Sequence, residues 1–67
     1  MNKAMIDRIV KVNRDKEAIY TFIDGKKTTM GEVLFGLKDN QYIEFKNGNH
    51  SDYRRGNIII RTLEEDE

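Results

Sequence analysis

The part of this 67-residue chain whose residue types and spacing say most about possible chemistry is one segment, Glu44 to Ile58. There is no cysteine, which removes thiol nucleophiles, disulfides and thiolate zinc sites together. His50 is the one histidine, and it lies in a polar, turn-like stretch where an imidazole ordinarily serves as a solvated or hydrogen-bonding group. Neither a phosphate-binding glycine loop nor a Gly-x-Ser-x-Gly elbow occurs. What remains is the run from Glu44 to Ile58, EFKNGNHSDYRRGNI, which brings acids, amides and guanidiniums close together. In it Arg54 is placed to pair with Asp52. Arg55 is the freer cation for a phosphate or an acidic partner.

That run resembles the HNH homing-endonuclease motif of phages and mobile introns, D-H-x-N-G-x-x-x-D-N-R-x-x-N-L. Asn47, Gly48, Asp52, Arg54 and Asn57 coincide with its letters without a gap, and Ile58 stands for the leucine. Upstream, GKKTTMGEVL from Gly25 to Leu34 resembles the G-K-x-x-x-x-H-R-x-h stretch that precedes the motif. The two pieces cover roughly half of the chain. In the family the histidine after the first acid activates water beside a metal ion. Here that position is Phe45, which cannot accept a proton, and the upstream histidine position is Gly31. Glu44 and Asn57 fall on metal-ligand positions and are weak candidates to hold magnesium with water and phosphate. Without a base such a site generates little nucleophile.

The resemblance therefore implies an inactive scaffold with no cofactor. Asn47, Gly48, Asp52 and Asn57 would be its retained frame, because short Asp and Asn side chains reach nearby backbone amides. Related domains lay an antiparallel sheet against duplex DNA, which implies a basic contact face. Lys26, Lys27, Lys46, Arg54 and Arg55 are its candidates, with Tyr53 or Tyr20 for stacking or hydrogen bonding.

The elements that must position these residues read as α+β. Residues 6–12, IDRIVKV, are rich in β-branched side chains and partly alternate, which predicts a strand. Asn13 to Lys16 read as a turn, and Ala18 to Ile23 as a second strand. Asp24-Gly25 is a tight-turn signal, with Lys26 to Thr28 returning as a third strand. The three together predict a small antiparallel meander. Met30, Val33, Leu34 and Leu37 then recur at helical spacing, with Thr29 and Glu32 as a capping box, so one short helix packs on the sheet. Gly36 and the polar run after it end that helix. Tyr42 to Phe45, the Asn47-Gly48 turn and Ile58 to Ile60 form a hairpin-like, degenerate ββα element, and Asp52 to Arg55 can supply a single helical turn.

Composition bounds the rest. Residues 1–63 read as one domain and Glu64 to Glu67 as an acidic tail. Twelve basic and twelve acidic residues give no net charge. Removing the four tail acids leaves twelve against eight, a net of +4, which permits phosphate binding without demanding it. The start of the chain lacks a signal-peptide stretch and no segment approaches a membrane span, so the expectation is a cytoplasmic protein, of a bacterial host if phage-derived, with no membrane partner. Three functions stay open: a nucleic-acid-binding module, a small phage inhibitor of a host defence protein such as a CRISPR or restriction component, and a ligand-sequestering homo-oligomer.

Overall fold

The computed structural model describes residues 1–66, so Glu67 of the expected acidic tail lies outside the described residues. The fold is α+β, with helix α1 (Lys3–Arg14), hairpin β1 (Tyr20–Ile23) and β2 (Lys26–Thr29), and helix α2 (Met30–Phe35). A second hairpin follows, of β3 (Gln41–Phe45) and β4 (Ile58–Thr62), with a 3-10 turn at Arg55–Asn57 leading into β4.

The first expected strand is a helix. Ile6, Ile9 and Val10 are spaced i, i+3 and i+4, and the burial of Ile6 and Val10 outweighs the tenths of a kcal/mol by which β-branched residues disfavour a helix. Asn2 caps the start, its side chain accepting from the Met5 amide at 2.9 Å. Lys11 and Arg14 in the last turn complement the helix dipole.

Consequently the described residues form no three-stranded meander. Each hairpin is a separate two-stranded antiparallel sheet. The first turns at Asp24 and Gly25, both at positive φ (51° and 76°), which suits the twist of a two-residue loop. Its register runs from Tyr20 opposite Thr29 to Ile23 opposite Lys26. Thr29 then caps α2, and Gly36 ends it in the left-handed conformation at φ 61°. In the second hairpin Gln41 pairs with Thr62, Ile43 with Ile60 and Phe45 with Ile58. The degenerate ββα element is thus two strands whose helical part is the 3-10 turn between them.

A small core of Ile6, Val10, Leu37 and Ile43 joins α1 to β3. Arg14 fastens the junction, its guanidinium donating to the carbonyls of Lys38 (2.8 Å) and Gln41 (2.9 Å) and pairing with Glu32 at 3.4 Å. The loop between the β3 and β4 strands is stitched back to the end of α1. His50 Nδ1 lies 2.7 Å from the Lys16 carbonyl, and the Ala18 amide donates to the His50 carbonyl at 3.3 Å.

Candidate functional site

The loop of residues 46–57 is held by three side chains that the motif singles out. Asn57 is buried. Its amide oxygen accepts from the Asn47 backbone at 3.0 Å. Its amide nitrogen donates to Asn47 Oδ1 at 2.9 Å and to the Asp52 carbonyl at 3.0 Å. Asn47 in turn donates to Asp52 Oδ2 at 3.0 Å and accepts from the Asn49 amide at 2.8 Å. Gly48 supplies the positive φ of 74° that the turn needs. Three side chains thus close a ring of hydrogen bonds across the loop.

Asp52 also accepts from Arg54 in a two-pronged contact, Nε at 2.9 Å and Nη2 at 2.7 Å. The Arg54 guanidinium holds the Asp52 carboxyl down at about 2. Lys46, Arg54 and Arg55 are all exposed on this loop.

Phe45, at the position where the resemblance would put the catalytic base, sits between two rings. His50 stacks on it at 5.2 Å between centroids and 26° between planes, and Tyr53 meets it edge-on at 5.2 Å and 90°. A carbonyl oxygen only accepts, so the contact with Lys16 places a hydrogen on His50 Nδ1. The Tyr53 hydroxyl donates to Glu17 Oε1 at 2.9 Å. Burial first, and then the Glu17 carboxylate, push that hydroxyl well above its ordinary value of 10.

Gly31, at the upstream histidine position, has no room for a side chain. Its amide donates to Glu17 Oε1 at 2.7 Å, and a Cβ there would lie 2.7 Å from that oxygen and 2.8 Å from Ile43 Cδ1. Glu17 is only 7 % exposed, and among the described residues its second oxygen has no hydrogen-bond partner. One buried carboxylate therefore links the loop to α2.

The donors present do not fit a magnesium ion of the HNH type. The Asn57 amide oxygen faces the Asn47 amide, and Glu44 Oε1 accepts from Arg61 Nε at 2.7 Å. Among the described residues no three His, Cys, Asp or Glu side chains converge as a metal site requires.

The contact candidates divide into two groups. Lys46, Arg54 and Arg55 belong to the braced loop. Lys26 and Lys27 stand on β2 beside a groove that also holds Asp7, Asp15, Glu32 and Asp39, and Lys27 Nζ lies 4.6 Å over the Tyr20 ring. Tyr53 is turned inward, with its hydroxyl engaged by Glu17. Two residues that organise the site, Arg14 and Glu17, carry no signal in the local sequence. Both lie in the polar stretch after an expected strand, and only their distant partners give them a role.

Among the described residues no helix is long and apolar enough to cross a membrane. Compared with protein-family models, curated proteins and solved structures, the chain matches none.

Proposed function

We propose that the chain is a catalytically inactive, HNH-like binding module that contacts nucleic-acid phosphates through the loop between β3 and β4. The observation that carries this reading is the bracing of that loop by Asn47, Asp52 and Asn57, which presents Lys46, Arg54 and Arg55 to solvent on a fixed frame. Fixing the loop beforehand lowers the entropy that phosphate contacts would otherwise have to overcome. The inactive reading is supported by Phe45, packed between His50 and Tyr53 where a base would stand, and by Asn57 and Glu44 being engaged by Asn47 and Arg61. A phage source and residence in the bacterial cytoplasm belong to the same reading.

The test is binding to duplex DNA, single-stranded DNA and RNA across a salt series. With Arg54 paired to Asp52, Lys46 and Arg55 predict a log–log slope of about −2 for duplex, and Lys46→Ala should flatten it by about 1. Absence of binding to all three at low salt rejects the proposal.

A second reading, a small inhibitor of a host defence protein, is favoured by one observation. The β1–β2 hairpin leaves Tyr20, Phe22 and Ile23 exposed, Phe22 by 64 %. Aromatic side chains dominate interface energetics. Capture of a defined CRISPR or restriction component by the wild-type chain but not by Phe22→Asp, with no DNA retained, would move the assignment here.

A further inference from the structure

The geometry points to one face of the β1–β2 hairpin as a stacking platform for unpaired bases, which makes a single strand, rather than a duplex, the preferred nucleic acid. This rests on the nucleic-acid reading above and names its strand class. Tyr20 and Phe22 are two residues apart on β1 and so share a face, and Lys27, paired across from Phe22, shares it with them. At the base of that face Thr29, opposite Tyr20, is buried, whereas Tyr20 is 51 % and Phe22 64 % exposed. The two rings meet edge to face with centroids 5.9 Å apart, and Lys27 Nζ lies 4.6 Å from the Tyr20 centroid. Each ring orients the other, and the ammonium is held beside them.

Charge selects a polyanion for this face. No carboxylate lies among the residues of either strand. Lys26 and Lys27 are exposed, and among the described residues neither has an ion-pair partner. Of the four acids in the neighbouring groove, Asp7 is held by Lys3, Asp15 by Lys11 and Glu32 by Arg14. A chain of phosphates carrying flat bases matches rings flanked by cations, because the bases stack on the rings while the backbone follows the lysines. For a protein partner the aromatic face is a small patch, since Ile23, next along β1, lies on the opposite face.

Stacking selects the single strand. In a duplex each base is covered above and below by its neighbours, so a protein ring reaches a base face only where the strand is unpaired. Reading a duplex instead takes an element that enters a groove. α2 is six residues long, and on α1 the exposed Lys3 and Lys11 are paired with Asp7 and Asp15. Neither helix supplies the basic face that groove entry needs.

The test is fluorescence anisotropy of a labelled oligothymidylate and of a DNA duplex of the same length, each titrated with the whole chain across a salt series. The single strand should bind more tightly. Phe22→Ala should weaken it about 5- to 150-fold, the range for losing one stacked base, and leave the salt slope and the duplex affinity unchanged. Phe22→Tyr, which keeps the ring, should keep the affinity, and Phe22→Leu, which keeps only apolar bulk, should not. Lys27→Ala should flatten the single-strand slope by about 0.7 without altering the duplex slope. The platform is overturned if single strand and duplex bind alike, or if Phe22→Ala binds the single strand as the wild type does. In either case a duplex slope still flattened by Lys46→Ala leaves the β3–β4 loop reading standing, whereas no binding at low salt removes both. Should Phe22→Ala lose its far-ultraviolet circular dichroism, the Phe22→Tyr and Phe22→Leu pair decides.

Discussion

The Glu17 carboxylate lies 2.7 Å from the Gly31 amide nitrogen and fills the space that any side chain at position 31 would need. An acid has thus taken the place where the HNH resemblance expects a histidine, and glycine is what admits it. Gly31→Ala should lower the unfolding free energy by about 1–3 kcal/mol, because the added methyl must displace both Glu17 and Ile43. Chemical denaturation measures this. A variant as stable as the wild type would show that the carboxylate relocates without cost.

Tyr53 is the other donor to that carboxylate. Tyr53→Phe leaves Glu17 with the Gly31 amide alone and should cost about 1–3 kcal/mol. A folded-state hydroxyl pKa above the unfolded value gives stability that is present below pH 10 and lost as pH rises through the folded value. Tyrosinate absorbance should accordingly contain a component titrating above pH 10 that Tyr53→Phe removes.

Asn57→Ala opens the ring across the loop, removing three hydrogen bonds at once. Since Asn57 is buried, about 2–3 kcal/mol should be lost. Amide hydrogen exchange should rise at Asn47 and Asn49, which the ring protects, while α1 keeps its protection. Uniform acceleration throughout the chain would contradict a local brace.

Asp52 gives the acid limb. Its carboxyl is held at about 2 by Arg54, below the ordinary 3.8, so the stabilisation is complete above 3.8 and is lost as pH falls toward 2. Melting temperature followed across that window should fall less steeply for Asp52→Asn than for the wild type. Equal slopes would show that other carboxylates set the acid limb.

On the proposed HNH-like reading, a histidine at position 45 should not produce cutting. Phe45→His returns an imidazole to the motif, but the Asn57 amide oxygen stays on Asn47 and Glu44 stays on Arg61. Supercoiled plasmid with magnesium should remain unnicked by Phe45→His and by the wild type alike. Nicking by either would mean that the donors rearrange around the ion.

What the sequence by itself determined is the local punctuation. Asp24-Gly25 and Asn47-Gly48 demand tight turns, since glycine there takes a positive φ, and Thr29 with Gly36 brackets α2. The cross-loop partners Asn47, Asp52 and Asn57 were legible for a similar reason: they are near in sequence and their short side chains reach only nearby groups. The tertiary structure decided the rest. Residues 6–12 carry a strand's composition and became a helix because burial of Ile6 and Val10 beside Ile43 outweighs a weak local preference. The resemblance marked Gly31 and Phe45 as positions without their histidines. Only the tertiary structure shows what stands there: Glu17, 14 residues away, lies against Gly31, and Tyr53, bonded to Glu17 across 36 residues, meets Phe45 edge-on.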